Sequence, residues 1–289
     1  MSARMRVAKT SLHMWEEPCI SGHNGSGTVF FCGCNLGCVF CQNHMISRGR
    51  VGELYTPGEL AEKMLILQEK GANNINLVTA GHYLEPVLKT LDTAKEKGLK
   101  IPVVYNTSSY ESAENIRRLE GYVDVYLPDF KYVSSELSLR YSNAEDYFEV
   151  AEEALAEMVR QCGGEATFVP ERPAGVENTS SPYGNDESLI MTHGVIVRHL
   201  LLPGCLEDSK RVVRYLLDVY GDDIYLSLMN QYTPLDIVKE KYPEIYRKVT
   251  SEEYEELLDY AIDLGLNNGF YQEGDVALES FIPDFTDRN

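Results

Sequence analysis

An α/β chain with a mainly parallel sheet is predicted by three observations. Six short apolar runs, at 28–34, 74–80, 101–107, 123–130, 194–202 and 223–230, are rich in Val, Ile, Leu, Phe and Tyr and mostly lack strict alternation. Strands buried on both faces have that composition, and parallel sheets are covered on both faces. Helix-like stretches separate most of the runs, and strand–helix alternation implies crossover units. Each run also turns from apolar to polar or glycine at its C-terminal end. The pattern alone leaves open whether the sheet closes into a barrel.

The elements follow in order. The start, 1–9, is basic, with no apolar stretch of signal-peptide type behind it. The first run ends at Cys34-Asn35. Thr56-Pro57-Gly58-Glu59 then has capping-box spacing with Pro at the first helical position, and Gly71 stops that helix. The second run delivers Thr79-Ala80-Gly81-His82. Leu84, Val87, Leu88 and Leu91 form a helical stripe ending near Gly98. The third and fourth runs end in Asn106-Thr107-Ser108 and Asp129-Phe130-Lys131, and 144–161 reads as a helix. Segment 162–188 is rich in Gly, Pro, Asn and Ser without a period, and reads as a long flexible loop, a lid or a tolerated insertion. The last two runs end in Pro203-Gly204-Cys205 and Asn230-Gln231-Tyr232, with a helix at 207–220 between them. Leu257, Ala261 and Leu264 mark one amphipathic helix after Ser251, before Asn268-Gly269 and an irregular end. One domain over 1–289 is expected, with an N-terminal cover (1–27), a core (28–235) and a helical extension (236–289). Active sites of parallel β/α barrels are built from strand ends of this kind. Ordinary polar turns explain any single end, but explain all six together less well.

Composition narrows the function. With 44% hydrophobic residues the 289-residue chain can bury a substantial core. A formal net charge of −19 argues against nucleic acid, whose phosphates are met by Lys and Arg. No apolar run approaches the roughly 18 residues of a membrane-spanning helix, so no membrane partner is expected; a cytoplasmic location is expected from the chemistry of the clustered cysteines described next.

Four of the seven cysteines lie within Cys32–Cys41, while Cys19, Cys162 and Cys205 are scattered. Clustered thiols without an export signal point to a metal or redox site rather than a disulfide framework. The core signal is Cys34-x3-Cys38-x2-Cys41, inside Phe30-Phe31-Cys32-Gly33-Cys34-Asn35-Leu36-Gly37-Cys38-Val39-Phe40-Cys41-Gln42-Asn43. Three thiolates on one tight loop can hold three corners of a [4Fe–4S] cluster and leave the fourth iron open. Cys32 offers the rival readings, a closed four-cysteine cluster or structural zinc, and two-residue spacing from Cys34 on a strand places both on one face. Zinc sites usually pair ligands on separated knuckles, and a second pair is missing here.

The Cys-x3-Cys-x-aromatic-Cys loop, with Phe40 as the aromatic, resembles the signature of the radical S-adenosylmethionine (SAM) superfamily. The flanking sequence is similar to the activating enzymes of pyruvate formate-lyase. It is closer to a related branch, through Glu16-Glu17-Pro18, Ser21-Gly22, Gly25-Ser26-Gly27-Thr28, Val197-Arg198-His199, Leu202-Pro203-Gly204 and Leu228-Met229-Asn230-Gln231-Tyr232. The resemblance spans most of the chain and implies a partial (β/α)6 TIM-like barrel with the cluster loop after the first strand. It implies Cys34, Cys38 and Cys41 as iron ligands, and SAM, cleaved to a 5′-deoxyadenosyl radical that abstracts hydrogen from a substrate. Phe40 would lie near the adenine. Asn106, Thr107, Asp129, Lys131 and Arg198 match positions around the amino-acid end of SAM and a nearby monovalent cation; Lys131 and Arg198 suit a carboxylate, Asp129 an ammonium or cation. Where the family has a Gly-Gly-Glu motif meeting the SAM amine, this chain has Ala80-Gly81-His82. Gly81, His82 and Asn230, all at strand ends, complete the candidate cofactor-binding set.

A reductant such as flavodoxin or ferredoxin is expected, and the closest analogy implies a glycyl-radical activase acting on a partner protein. The same core could serve a small-molecule substrate, and a non-catalytic iron–sulfur or zinc protein is the reading from another class. Cys205 reads as a small buried hydrophobe before a catalytic thiol, and Cys19 and Cys162 as structural. His44 reads as a loop hydrogen-bonder, His82 and His199 as residues at or near strand ends with a cavity role in view. Trp15-Glu16-Glu17 reads as cover, with a catalytic carboxylate the bolder alternative.

Overall fold

A computed structural model describes residues 4–48, 51–171 and 188–271. Strand β1 (Met5–His13) and the short α1 (Pro18–Ser21) precede β2 (Ser26–Phe31), the first of the six predicted runs. After β2 come α2 (His44–Ser47), β3 (Glu53–Tyr55), α3 (Pro57–Glu69), β4 (Ile75–Val78), α4 (Leu84–Glu96), β5 (Val103–Thr107), α5 (Ala113–Arg117) and β6 (Val125–Pro128). Two helices, α6 (Ser135–Ser142) and α7 (Tyr147–Cys162), lead to β7 (Thr167–Pro170). Then follow β8 (Leu189–Leu200), α8 (Leu206–Tyr220), β9 (Tyr225–Met229), α9 (Ser251–Asp263) and β10 (Gly269–Tyr271).

Among the described residues the strands form one sheet in the order β10-β9-β8-β6-β5-β4-β2-β1-β3, with β7 added to β8. From β2 to β10 every neighbouring pair is parallel. The six predicted strands are therefore consecutive, and the path does not return on itself. This is the open, partial (β/α)6 arrangement. Strands β2, β4, β5 and β6 are buried along their whole length, which is why their sequences are apolar without alternation.

Local signals set the helices. Thr56 caps α3, its hydroxyl accepting from Glu59 N (3.4 Å) while Glu59 accepts from Thr56 N (2.8 Å). Pro57 takes the first turn, and Gly71 leaves the helix with φ +91°. Thr250 and Glu253 repeat the box at α9. Helix α3 packs on α4, α5 on α7 and α8 on α9, covering the outer face of the sheet.

Three expectations are corrected. Residues 5–13 are no mere cover: β1 pairs antiparallel with β2 and β3 and extends the sheet. Along β1 the buried Met5 and Val7 alternate with the half-buried Arg6 and Ala8, a strand signal that the basic composition hid. Segment 162–188 is not all loop, since Cys162 ends α7 and Thr167–Pro170 pairs antiparallel with β8; residues 172–187 lie outside the described residues. Within the extension, β10 adds a parallel strand beside β9. Among the described residues no helix is long and apolar enough to cross a membrane.

Candidate active site

A cavity of about 250 Å³ opens at the C-terminal ends of the parallel strands. Cys34, Cys38 and Cys41 all line it, and so does Phe40. The loop that carries them is pinned on several sides. Gly33 turns the chain at φ +99°, where a Cβ would stand 3.1 Å from His82 Nε2, so only glycine fits. The end of α6 receives the loop: Gly37 N and Val39 N donate to the carbonyls of Ser142 and Tyr141, both at 2.8 Å. Arg48 donates to the carbonyls of Gly37 (2.7 Å) and Cys38 (2.9 Å), and Gln42 Nε2 to that of Gln231 (3.0 Å). Phe40 packs edge-on against Tyr232 at 6.3 Å.

Burial pushes the Cys34 and Cys38 thiols above the ordinary range, Cys38 to about 11. Lys131 and the Ser142 hydroxyl pull Cys38 the other way, while negative charge on neighbouring thiolates adds to the upward push. Deprotonating thiols that face one cavity would gather negative charge there, which iron bound among them would offset. Cys32 points elsewhere. Its side chain is 4% exposed among Phe30, Ile46 and Val78, and its Sγ donates to the Val51 carbonyl at 2.8 Å. The four-cysteine readings lose their fourth ligand, because Cys32 belongs to β2's end and Cys34 to a loop already turned by Gly33.

Asp129, Lys131, Arg198 and Asn106 form one network on the cavity wall. Lys131 Nζ lies 2.7 Å from Asp129 Oδ2, and Arg198 Nε lies 2.9 Å from Asp129 Oδ1. Arg198 also donates to Glu16 Oε2 (3.1 Å) and Asn106 Oδ1 (2.7 Å). Glu16 Oε1 in turn accepts from Asn76 at 3.1 Å. Burial opposes charge on Asp129, but Arg198 and Lys131 together hold its carboxyl below its ordinary value. Burial raises Glu16, partly offset by Arg198. Two acids and two cations thus face the cavity on one wall.

The remaining predicted residues divide. Thr107 lines the cavity, and its hydroxyl donates to Glu111. Gly81 and His82 do not line it. A Cβ on Gly81 would lie 1.9 Å from Glu111 Oε2, and His82 Nε2 is bound at 2.8 Å to the Cys32 carbonyl. Both residues therefore back the cysteine loop and the wall of the cavity. Asn230 is displaced from the lining by its neighbours Met229 and Gln231, since side chains alternate along the strand. Strand β8 contributes Arg198 and Leu200, not Pro203-Gly204-Cys205. His199 is buried on the opposite face, between the Phe130 carbonyl (2.7 Å) and Ser209 Oγ (2.8 Å). His44 bonds the Cys41 carbonyl at 3.2 Å, as expected of a loop residue, and Cys19 and Cys162 are buried.

Sequence reasoning missed Glu111, a half-buried carboxylate bound by Tyr105 (2.9 Å) and Thr107. It undervalued Glu16, which lines the cavity beside Trp15. Both acids stand outside the strand ends, so no periodicity marked them.

Comparison with known proteins places the chain. The model of the Radical SAM superfamily matches residues 28–173, slightly more than half of it. Uncharacterized protein MJ0674 of Methanocaldococcus jannaschii is 31% identical over 257 residues, covering 86% of this chain and 65% of its own length. Streptococcus suis SuiB bound to S-adenosylmethionine shares the fold with a TM-score of 0.54 at 11% identity, over 84% of this chain and 49% of SuiB. SuiB bound to precursor peptide SuiA gives 0.51 at 12%, over 84% and 47%. The chain thus spans about two thirds of the curated relative and about half of SuiB. The cysteine loop, the open parallel sheet and the matched region agree: this chain belongs to the radical SAM superfamily.

Proposed function

We propose that this chain binds a [4Fe–4S] cluster through Cys34, Cys38 and Cys41 and cleaves SAM reductively in the cavity above them. The superfamily implies both the cluster and SAM, and the residues present fit them. The observation that carries the reading is the separation of the cysteines: three thiols face a cavity lined by a balanced charge network, while Cys32 is turned into the core. A cubane asks for thiolates at separate corners, which one loop can supply.

When bound, the cluster and SAM supply one electron and, by scission of a sulfonium bond, a 5′-deoxyadenosyl radical that takes hydrogen from the substrate. The chain's own part is to bind and orient. Lys131, with a single acid partner at 2.7 Å, has donors left to meet the SAM carboxylate. Arg198 is committed to three acceptors, so its part in this reading is to fix Asn106, Asp129 and Glu16. Both Asp129 oxygens are held by Arg198 and Lys131, which favours Lys131 over a monovalent cation as its counter-charge. Phe40 and Leu36 provide apolar wall for the adenosyl end, and Thr107, backed by Glu111, a hydroxyl at the rim.

The substrate in this reading is the glycine backbone of a glycyl-radical partner protein, supported by the resemblance of the flanking sequence to the activating enzymes. A reductant of the flavodoxin or ferredoxin class completes the set. The test is anaerobic reconstitution with iron and sulfide, EPR of the reduced protein with and without SAM, and assay of 5′-deoxyadenosine. A [4Fe–4S]⁺ signal that changes on adding SAM, with 5′-deoxyadenosine released, is expected. A signal indifferent to SAM overturns the open-iron reading. Absence of radical transfer to glycyl-radical proteins, with SAM cleavage intact, moves the substrate to the small-molecule class.

A further inference from the structure

One of the three loop thiols is treated differently from the others. Ser142, the last residue of α6, is fully buried, and its Oγ donates to Cys38 Sγ at 3.1 Å. The Tyr132 hydroxyl lies 2.9 Å from the same Oγ, and Tyr132 is 2% exposed. A serine hydroxyl has one hydrogen. With that hydrogen given to Cys38, the bond from Tyr132 must run from the phenol to the serine oxygen, giving a relay Tyr132 O–H to Ser142 O–H to Cys38 S. Chained hydrogen bonds polarise each other, and the inner one is strengthened.

The geometry is built rather than incidental. The αL residue Asn143 (φ 56°) ends α6, turning the chain immediately after Ser142. The Ser142 and Tyr141 carbonyls accept from Gly37 N and Val39 N on either side of Cys38. Gly37 comes so close to this turn that a Cβ would stand 3.2 Å from Asn143 Cβ. The cysteine loop and the serine are thus locked in register by main-chain bonds, independently of the hydroxyl itself.

We propose that Ser142, oriented by Tyr132, is a positioning residue that sets the reduction potential of the cluster by donating a hydrogen bond to the Cys38 thiolate. The inference rests on Cys38 being a cluster ligand. A donor at a ligand sulfur stabilises the electron-rich, reduced cluster more than the oxidised one, and so raises the potential. Removing it makes the cluster harder to reduce. Cys34, whose Sγ lies 3.9 Å from the side-chain oxygen of Asn35, and Cys41, 3.6 Å from Ser47 Oγ, are held by longer contacts.

The experiment is potentiometric EPR and absorbance titration of the reconstituted wild type, Ser142→Ala, Ser142→Thr and Tyr132→Phe, with dithionite as the one-electron reductant. Ser142→Ala is expected to assemble the same iron content and shift the midpoint negative, by up to about tenfold in the reduced-to-oxidised ratio, ~59 mV for one electron. Ser142→Thr restores the wild-type midpoint because it keeps the hydroxyl. Tyr132→Phe shifts it in the same direction by less. Unchanged midpoints in Ser142→Ala and Tyr132→Phe, with iron content intact, overturn the inference and leave the cluster reading standing. A wild type that takes up no iron overturns both. Loss of iron in Ser142→Ala with a normal cluster in Tyr132→Phe at the wild-type midpoint assigns Ser142 a structural role and also overturns it.

Discussion

Arg198→Met tests the charge network on the cavity wall. Arg198 contacts Asp129 at 2.8 Å and Glu16 at 3.1 Å, and the side chains of Arg198, Glu16 and Asp129 are only 14%, 8% and 21% exposed. Removing one partner of a buried ion pair costs about 3–5 kcal/mol, because the other charge is left desolvated. Here Asp129 keeps Lys131 at 2.7 Å, and Glu16 still meets the amides of Asn76 (3.1 Å) and Asn106 (3.4 Å). The loss therefore sits at the low end, about 3 kcal/mol at pH 7. Acid reduces it. In the intact protein Asp129 is held below its ordinary value, so its contribution is present above that value and is lost as pH falls through the depressed one. In Arg198→Met, Glu16 loses the guanidinium that offsets its burial, so its carboxyl rises further and takes up a proton as the pH falls, which relieves the penalty. Urea unfolding of the cluster-free protein at pH 7 and pH 5 measures both effects. Glu16→Gln placed on Arg198→Met should recover part of the loss, with a coupling of roughly 1 kcal/mol or more. A cost below about 1 kcal/mol at pH 7, or a double variant no more stable than Arg198→Met, refutes the argument.

Four further outcomes are expected. Gly81→Ala drives a Cβ to within 1.9 Å of Glu111 Oε2 and should cost about 1–3 kcal/mol, a loss that shrinks in a Glu111→Ala background when both are unfolded in urea. Glu171 accepts from His23 N, Asn24 N, Asn73 Nδ2 and Ser188, tying β7 to the turn after α1; Glu171→Ala should lose about 2 kcal/mol by the same measurement. His199 is held by burial at about 4, below its ordinary 6.5, so the unfolded chain binds the extra proton and stability falls as pH drops from 6.5 towards 4. His199→Gln should flatten that slope, which for one group reaches at most about 1.4 kcal/mol per pH unit. Cys32→Ala should keep the iron content of the wild type on reconstitution, whereas alanine at Cys34, Cys38 or Cys41 should each lose the cluster, as read by iron analysis and EPR.

Much of the fold was legible because its core strands obey a single rule. Strands β2, β4, β5 and β6 are buried on both faces, and such strands are rich in Val, Ile, Leu, Phe and Tyr without strict alternation. The elements that escaped, β1, β3, β7 and β10, sit at the margins, where one face is partly exposed and the strands are short or mixed with charge. Their pairing is decided by neighbours far along the chain, as when Thr167–Pro170 finds β8 across 172–187. No local pattern encodes such a partner.

The site divides along the same line. Cys34, Cys38 and Cys41 share one loop, so their spacing carries the chemistry, and Asp129 and Lys131 stand at one strand end. Glu16 and Ser142 reach the site only through tertiary packing, Glu16 through Arg198 on β8 and Ser142 through Cys38, while Glu111 turns back onto Thr107 within the loop after β5. The misplacement of Gly81 and His82 has the same origin. A strand end can face the ligand or hold up the loop that does, and His82 does the second because its ring meets the Cys32 carbonyl across the turn at Gly33. In a parallel sheet, then, sequence position identifies the ring of residues from which a site is drawn, and contacts between rings decide which of them face the chemistry and which keep it in place.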